Sequence, residues 1–503
     1  MTYSRVFALT ILFLALQTST ADVSGNWIAR IPRGDGTSRD TYFNLKQEAG
    51  RITGTIRTTQ FLYKIVESTG GAEGFTIVAS MMDGQNPRRV TYEGKLAGDE
   101  LRLGTRARPE ALLTELVARR APAGEGAYPT RLPLPALHKV ADNGLARTPP
   151  MGWNSWNKFA GRVDDAAVRG IADAMAANGM KDAGYVYVNI DDTWEGQLRD
   201  ANGNMTTNSK FPDMKALADY VHSKGLKIGI YSSPGPNTCA GYEGSHGHEA
   251  QDAKTYAAWG IDYLKYDWCG ARNLYTDDEM PAVYQKMGDA LLEAGRPILY
   301  SLCQYGRNDV WKWGADVGGN AWRTTGDIRD TWDSMTRIGF SQDPLAPWAK
   351  PGHWNDPDML EIGNGGMSDD EYRTHMSLWS MLAAPLLAGN DLRSMSGPTL
   401  AILTNREVIA IDQDRDGVQG RRVAKSGDHE VWARPLAGGA HAVALFNRGA
   451  AAVPITLTWA DAGLKSAPAK ARDLWAHADV AVNGPTYTAT VPSHGVVMLR
   501  VAP

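Results

Sequence analysis

The feature that most constrains this fold is a regular alternation of short apolar segments and longer amphipathic segments between residues 148 and 410. This order favours successive βαβ units, which build a parallel sheet with helices packed on it. Eight strand–helix units predict a (β/α)8 TIM barrel of the α/β class. The predicted strands are 150–154, 185–190, 226–231, 262–266, 297–302, 321–323, 353–355 and 381–388.

The two ends of the chain alternate single apolar and polar residues instead. Residues 22–121 do so in short runs separated by turns rich in Gly and Asp, which predicts a small all-β domain, either a barrel or a sandwich. A Pro-rich linker follows at 122–144, before a barrel domain at 145–410. Alternation then returns, and residues 411–503 are predicted to form a C-terminal antiparallel β-sandwich.

The first 21 residues have the pattern of a signal peptide. Residues 1–5 carry a net positive charge, and residues 6–16 form an apolar run that is too short to span a bilayer. Ser19 and Ala21 are small residues, as a signal peptidase prefers. We expect cleavage after Ala21; an uncleaved N-terminal anchor is the alternative. The mature protein would then be exported, periplasmic or secreted, without a membrane partner, into a compartment that permits disulfides.

Composition excludes several classes of protein. The chain has 52 Lys and Arg against 56 Asp and Glu, so it lacks the basic surface that nucleic acid requires. Its 3 Cys are too few for a disulfide scaffold, and their odd number leaves one thiol unpaired if the other two are bridged. Neither a P-loop nor a dinucleotide fingerprint is present, and we expect no cofactor.

Two segments match parts of metal-binding motifs. Asp412, Asp414 and Asp416 match the opening of a calcium loop, but Val423 occupies the position that requires Glu. His246 and His248 lie in a Gly-rich loop without further ligands at suitable spacing. We therefore predict no metal site.

Charged and aromatic residues follow the predicted strands at the point where each strand ends. Barrel enzymes carry their catalytic groups at this end. Carboxylates bind the vicinal hydroxyls of a sugar, aromatic rings cover its apolar faces, and glycoside hydrolysis requires two carboxylates. The set therefore indicates a sugar site; it comprises Asp191, Asp192, Tyr231, Lys265, Asp267, Cys303, Tyr305, Arg323, Asp327, Asp356 and Asp358.

Some of these acids also have a structural interpretation. Asp at a strand end often caps the next helix, and Asp191, Asp327 and Asp358 are each candidates for that role. Lys265 and Asp267 are harder to explain in this way, because residues two apart in a strand share a face, here the barrel mouth. Unpaired charges are costly there, so their presence favours a functional site.

The order of the motifs resembles glycoside hydrolase family 27, the α-galactosidases or melibiases. The resemblance extends from about residue 145 to the C-terminus, and its motifs are specific in combination. They are Thr148-Pro-Pro-Met-Gly-Trp-Asn-Ser-Trp156, Ile190-Asp-Asp-Thr-Trp194, Lys265-Tyr-Asp-Trp-Cys269, Trp322-Arg-Thr-Thr-Gly-Asp-Ile328 and Gly352-His-Trp-Asn-Asp-Pro-Asp-Met-Leu360.

The resemblance implies a retaining exo-α-galactosidase. Such an enzyme removes terminal α-D-galactose from oligosaccharides, galactomannans or galactosides by double displacement through a covalent glycosyl-enzyme. Asp267 would be the nucleophile and Asp327 the general acid/base, with their carboxyls about 5–5.5 Å apart. The local sequence alone does not decide which acid has which role.

The resemblance also implies the sugar contacts. Asp191 and Asp192 would bind the 4- and 6-hydroxyls with Trp156 packed nearby, and Lys265 would reach the ring hydroxyls. The plant-type members read the 2-hydroxyl through Cys-Glu-Trp, whereas this chain has Cys303-Gln304-Tyr305. The remaining residues implied to bind substrate are Tyr231, Arg323, Asp358 and Met359. The family pattern pairs Cys239 with Cys269 in a disulfide, which leaves Cys303 as a free thiol.

Two other functions fit parts of the pattern. A β-L-arabinopyranosidase, or another specificity on the same scaffold, is the first, although retention of both Asp191 and Asp192 favours galactose. A non-catalytic carbohydrate-binding protein is the second, but it would need neither Asp267 nor Asp327. For residues 22–121 we favour a structural or tethering role over polysaccharide binding through Trp27 and Tyr42. The sequence does not determine the oligomeric state.

Overall fold

A computed structural model describes residues 22–83, 86–105, 114–122 and 124–502. The predicted signal peptide at 1–21 lies outside these residues. The chain divides into two compact units. The first unit runs to Ile31 and continues at Asp40–Tyr128, and the second unit consists of Pro32–Arg39 and Pro129–Pro503. Within the described ranges, no helix is long and apolar enough to cross a membrane.

The first unit is a closed antiparallel barrel in which each strand pairs with the next and the last pairs with the first. Alternation places one face of each strand inside, where Trp27, Phe43 and Ile77 pack together. Trp27 is 1% exposed, so its ring cannot stack on a polysaccharide, and that alternative is wrong for Trp27. The strands are β1 (Gly25–Pro32), β2 (Ser38–Glu48), β3 (Arg51–Arg57), β4 (Leu62–Gly71), β5 (Gly74–Asp83), β6 (Asn86–Ala97), β7 (Glu100–Thr105) and β8 (Thr114–Arg120).

The second unit contains the predicted eight-stranded parallel sheet, whose strands follow the order β15-β14-β13-β12-β11-β10-β9-β16. One isolated parallel bridge between Leu360, just after β15, and Ala388, in β16, joins the two edges of the curled sheet. The fold class is thereby confirmed. The strands are β9 (Met151–Asn154), β10 (Tyr187–Asn189), β11 (Lys227–Ser232), β12 (Tyr263–Asp267), β13 (Leu299–Cys303), β14 (Ala321–Arg323), β15 (Trp354–Asp356) and β16 (Leu386–Ala388).

Helices follow the strands of this sheet and begin at capping residues. Asp164 accepts a hydrogen bond from the Ala167 N–H at 2.8 Å and so begins α2, which buries Val168, Ile171 and Met175. The helices are α1 (Trp156–Phe159), α2 (Asp165–Ala177), α3 (Met180–Ala183), α4 (Met214–Ser223), α5 (Glu249–Trp259), α6 (Met280–Glu293), α7 (Trp332–Gly339), α8 (Asp369–Leu382), α9 (Gly397–Leu403) and α10 (Arg406–Asp412).

The eighth strand is shorter than predicted. The prediction was 381–388, but α8 runs to Leu382 and β16 begins at Leu386. The second half of α8 is buried on nearly every side, so its sequence is apolar without helical alternation. Periodicity cannot separate such a buried helix from a buried strand, and the apolar run was assigned to the wrong element.

The C-terminal part of the second unit is antiparallel, as predicted. A six-stranded sheet, β17-β18-β19-β24-β21-β22, and a two-stranded sheet, β20-β23, share one apolar core that includes Val443, Leu457 and Leu499. The strands are β17 (Arg421–Ser426), β18 (His429–Pro435), β19 (His441–Asn447), β20 (Val453–Thr458), β21 (Lys470–Asp473), β22 (Ala478–Val480), β23 (Thr486–Val491) and β24 (Val496–Ala502).

Candidate active site

Polar side chains stand at the carboxyl ends of the parallel strands. The ladder sets Asp267, the last residue of β12, beside Cys303, the last residue of β13. It likewise sets Arg323, the last residue of β14, beside Asp356, the last residue of β15. Because parallel strands end at the same edge of the sheet, residues distant in sequence meet at one mouth.

Asp267 is 5% exposed, and the Tyr231 hydroxyl donates to its Oδ2 at 3.0 Å. Burial raises the pKa of Asp267 to about 6, against the opposing effect of the Lys265 ammonium. The charge of Asp327 raises the pKa further. Among the described residues, Asp267 Oδ1 is buried and finds no hydrogen-bond partner, so it is available to a ligand.

Arg323 connects Asp327 to Asp358. Its guanidinium lies 3.1 Å from Asp327 Oδ1 and 2.9 Å from Asp358 Oδ2. The Asp358 carboxylate also accepts from the Ile328 N–H at 2.9 Å, which fixes the loop after Asp327. The Asp327 side chain is 65% exposed while Asp358 is buried, so of the two only Asp327 is open to solvent.

Lys265 and Asp191 form a buried ion pair, with Nζ 2.7 Å from Oδ2. The amide of Asn154, the last residue of β9, donates to the same Oδ2 at 2.9 Å. Burial alone would lower the pKa of Lys265, but the charges of Asp191 and other anionic groups hold it well above its ordinary value. Lys265 therefore stays cationic and fixes the orientation of the Asp191 carboxylate.

Asp192 is held by backbone donors. Its Oδ1 accepts from the Thr193 N–H and its Oδ2 from the Ala240 N–H, each at 2.7 Å. Burial raises the pKa of Asp192 to about 7, and the neighbouring charge of Asp191 contributes to the rise. Thr193 adopts a left-handed φ of 88°, unfavourable for a β-branched residue, so the tight turn after the acid pair is held by its surroundings.

Cys303 and Tyr305 form another part of the wall. Cys303 is buried with a free thiol, its Sγ lies 3.7 Å from Arg323 Nη1, and burial raises its pKa well above the ordinary value. Tyr305 has a left-handed φ of 64°, and its hydroxyl lies 3.7 Å from Cys239 Sγ. A buried thiol whose proton is held this firmly is a poor nucleophile.

Cys239 and Cys269 are joined by a disulfide, the pair that the resemblance implies. Cys239 Sγ lies 3.7 Å from Asp267 Oδ2, so the bridge borders the carboxylate. Cys239, Asp267 and Cys269 cluster closely enough to hold a metal ion, but disulfide sulfurs are not thiolates and are poor metal ligands.

The other two residues predicted to bind substrate, Trp156 and Met359, lie close in the chain to residues of the site. Trp156 begins α1, is partly exposed, and donates its N–H to Asn154 Oδ1 at 2.9 Å. Met359 is buried directly after Asp358, whose φ is 91°. The ion pairs thus join Lys265 to Asp191, and Arg323 to Asp327 and Asp358. Trp156 reaches the site through Asn154, and Met359 through its chain neighbour Asp358.

The helix-capping interpretation of the acids is not supported. The helices that follow Asp191 and Asp327 are capped by Asp213 and Thr331, and α8, which follows Asp358, is capped by Ser368. None of the three acids caps a helix in the described part of the chain. Their carboxylates instead bond to Lys265, Arg323 and loop N–H groups in the barrel mouth.

Sequence reasoning missed two contributors to the site. Asn154 was recognised only as part of a motif, although the strand-end rule that selected the other residues applies to it equally. The Ala240 N–H on Asp192 carries no sequence signal, because every residue but Pro has such a donor.

Comparisons with known proteins agree with this geometry. Residues 148–414 match the family described as Melibiase_2, alpha galactosidase A. Residues 426–501 match the alpha galactosidase C-terminal beta sandwich domain.

Individual relatives match over most of their length. An alpha-galactosidase of Coffea arabica is 52% identical over 366 residues, which are 72% of this chain and 95% of the relative. The crystal structure of alpha-galactosidase I from Mortierella vinacea is 38% identical with a TM-score of 0.68 and covers 72% of this chain and 98% of its own. The structure of a Saccharomyces cerevisiae alpha-galactosidase with raffinose is 30% identical with a TM-score of 0.67 and covers 72% and 99%.

Proposed function

This chain belongs to glycoside hydrolase family 27, the α-galactosidases, and we propose that it releases terminal α-D-galactose by a double displacement that Asp267 and Asp327 carry out. The activity of the family needs one carboxylate to attack the anomeric carbon and one carboxyl to protonate the leaving oxygen. The observation that supports the assignment is the different environment of the two acids, because Asp267 is buried whereas the Asp327 side chain is 65% exposed.

Asp267 suits the nucleophile. It is buried and fixed by the Tyr231 hydroxyl at 3.0 Å, and Lys265 favours its ionised form. A carboxylate with one fixed oxygen and one free oxygen is oriented for attack on a sugar carbon. The enzyme would form a bond from this oxygen to the anomeric carbon as the bond to the leaving oxygen breaks, with inversion at that carbon.

Asp327 suits the general acid/base. It is the more exposed acid, its side chain is open to solvent, and Arg323 orients one of its oxygens at 3.1 Å. In the first step its proton passes to the leaving oxygen. In the second step it takes a proton from the water that attacks the glycosyl-enzyme, so that two inversions give net retention.

Three charged side chains are suited to bind the hydroxyls of galactose: Asp191, Asp192 and Lys265. The axial 4-hydroxyl distinguishes galactose from glucose, and buried acceptors reject the epimer because they would be left without a donor. Asp191 is held by Lys265 at 2.7 Å and Asp192 by backbone N–H groups, so neither can turn toward an equatorial hydroxyl at small cost. The acid that binds the 6-hydroxyl would also favour galactose over β-L-arabinopyranose, because the arabinoside lacks carbon 6 and would leave that acceptor without a donor.

The test is turnover of p-nitrophenyl α-galactoside by the wild type and by Asp267→Ala. We expect turnover by the wild type only, rescue of the variant by azide to a glycosyl azide of inverted configuration, and a covalent adduct of the wild type with a fluorosugar. An inactive wild type would contradict the activity. Equal turnover by Asp267→Ala would contradict the role of Asp267, and failure to trap an adduct would count against retention.

The natural substrate is proposed to be an α-galactosyl oligosaccharide or the side chain of a galactomannan. Support comes from the pocket chemistry and from the related yeast enzyme, whose structure was solved with raffinose. Release of galactose from raffinose and from galactomannan, compared at equal concentration of terminal galactose, would rank these substrates.

We further propose export and a three-domain chain. The signal-peptide pattern of residues 1–21 and the disulfide support an oxidising compartment. N-terminal sequencing of the secreted or periplasmic protein should begin at Asp22. The proposed boundary between the barrel, 145–410, and the sandwich, 411–503, falls inside α10.

A further inference from the structure

Residues 32–39, called here the Arg33 segment, lie outside the family matches, which begin at residue 148. They nevertheless belong to the unit that contains the active site. The segment is a tight turn closed by a hydrogen bond from the Arg33 N–H to the Thr37 carbonyl at 2.8 Å. Asp35, at its centre, is 7% exposed, which is unusual for a charged residue of a turn.

The segment contacts the loop that contains Ala240. Arg33 Nη2 donates to the Ala240 carbonyl at 2.6 Å, and its guanidinium lies 4.1 Å from the centre of the Tyr242 ring. The Tyr242 hydroxyl in turn donates to Asp35 Oδ2. A charge-assisted hydrogen bond, a cation–π contact and a buried tyrosine–carboxylate bond therefore converge on two residues of the loop, Ala240 and Tyr242.

The segment also contacts the loop that follows the acid pair. Ser38 and Gln197 exchange two hydrogen bonds of 2.8 Å, and the Ser209 N–H donates to the Asp35 carbonyl at 3.2 Å. Gln197 and Ser209 lie in the loop between β10 and α4, the loop that contains Asp192. The Arg33 segment therefore contacts both the loop that contains Asp192 and the loop whose Ala240 N–H binds the Asp192 carboxylate.

Ala240 is where these contacts reach the site. Its N–H donates to Asp192 Oδ2 at 2.7 Å while its carbonyl accepts from Arg33. The preceding residue, Cys239, lies 3.7 Å from Asp267 Oδ2. The backbone of Ala240 therefore connects the Arg33 segment to Asp192, the acid proposed to bind a sugar hydroxyl.

We propose that Arg33 and Asp35 are positioning residues for galactose binding, which hold the Ala240 loop so that its N–H fixes the Asp192 carboxylate. The proposal rests on the proposed function, because it requires Asp192 to bind a hydroxyl of the sugar. The segment lies in this chain's N-terminal region, before the residues that the family models match.

The experiment compares Arg33→Ala, Arg33→Lys and Asp35→Asn with the wild type, and Arg39→Ala, an exposed arginine of the same segment, is the control. We measure KM and kcat for p-nitrophenyl α-galactoside and the Kd of galactose by calorimetry. Arg33→Ala should raise KM and Kd together by about fivefold to tenfold, as expected for loss of one charge-assisted bond, with kcat within about twofold. Arg33→Lys should lie between, and Arg39→Ala should match the wild type.

Substrates that lack the 4- or the 6-hydroxyl separate positioning from a general structural effect. The increase in KM that Arg33→Ala causes should shrink toward onefold with the deoxy substrate whose missing hydroxyl is bound by Asp192. A full increase with both deoxy substrates, or KM and Kd within twofold of the wild type, would overturn the proposal. If Arg33→Ala does not fold, Arg33→Lys and Asp35→Asn give the same comparison; a wild type that binds no galactose would instead contradict the proposed function.

Discussion

At the scale of single residues, the site works by placing similar acids in different surroundings. Burial raises the pKa of both Asp267 and Asp192, to about 6 and about 7. Lys265 and the Tyr231 hydroxyl favour the charged form of Asp267, whereas Asp327 opposes it. The ionisation of Asp267, the proposed nucleophile, thus depends on a few neighbours that can be removed one at a time.

The first prediction concerns pH. In its proposed role as nucleophile, Asp267 reacts as a carboxylate, so kcat/KM should fall as the pH decreases through about 6, where Asp267 takes up a proton. Tyr231→Phe removes a hydrogen bond to the charged form, which raises the pKa of Asp267 and moves this acid limb to higher pH. Profiles of kcat/KM for both proteins measure the shift; an unchanged or lower limb in Tyr231→Phe would contradict the assignment.

The second prediction concerns the buried ion pair of Lys265 and Asp191. Lys265→Met leaves Asp191 buried without its cation, and we expect the free energy of unfolding to fall by about 3–5 kcal/mol. The exposed pair of Lys215 and Asp219 on α4 is the control, and Lys215→Met should change stability by no more than about 0.5 kcal/mol. Urea unfolding measures both. Equal effects would show that burial does not distinguish the two pairs.

At the scale of elements, local signals place the ends of the helices that support the barrel. Ser368 and Glu371 form a capping box at the start of α8, in which the Glu371 N–H donates to Ser368 Oγ at 3.3 Å and the Ser368 N–H donates to Glu371 Oε2 at 2.7 Å. Trp379, on the buried side of this helix, donates its ring N–H to the Asp358 carbonyl at 2.8 Å. The cap of α8 therefore stabilises an element that holds the backbone of the site.

The third prediction tests this cap. Ser368→Ala removes one acceptor for the N-terminal N–H groups of α8 and should lower the free energy of unfolding by about 1 kcal/mol. Ser368→Asp, which restores an acceptor, should recover most of that loss. Because Ser368 does not touch the acids, kcat should stay within about twofold of the wild type. A loss of kcat without a loss of stability would show that the cap acts on the site directly.

At the scale of the whole molecule, one disulfide and one free thiol account for the cysteines. Cys239 and Cys269 are bridged beside Asp267, and Cys303 is 1% exposed with its pKa raised by burial. The bridge connects loops that follow β11 and β12, and so holds the barrel mouth together from two strands. The free thiol of Cys303 is instead buried at the barrel mouth, where we expect reagents to reach it only after unfolding.

The fourth prediction follows from this arrangement. A thiol reagent should find almost no reactive thiol in the folded protein, one in the unfolded unreduced protein, and three after unfolding and reduction. Saturating galactose should not increase the reactivity of the folded protein. One rapidly reacting thiol in the folded state would show that Cys303 is accessible, and three without reduction would show that the bridge is absent.

Much of the barrel could be predicted because its signals are local. Acidic residues followed the apolar runs at the predicted strand ends, and the strand predicted at 321–323 is observed as Ala321–Arg323. The predicted bounds of the eighth strand were wrong because α8 is buried on nearly every side, so the sequence of α8 has no periodicity that distinguishes it from a strand. Asp191 and Asp358 could not be separated from helix caps by sequence, since both roles place an acid after a strand.

The sequence by itself determined the strand–helix order, the all-β ends and the acids at the strand ends, because alternation and turn chemistry act over a few residues. Only the tertiary structure decided how the acids are held. The Tyr231 hydroxyl on Asp267, the Lys265 ammonium on Asp191 and the Ala240 N–H on Asp192 join residues 36, 74 and 48 positions apart. Such contacts depend on the register of distant strands and on backbone groups common to nearly all residues, and no local pattern encodes them.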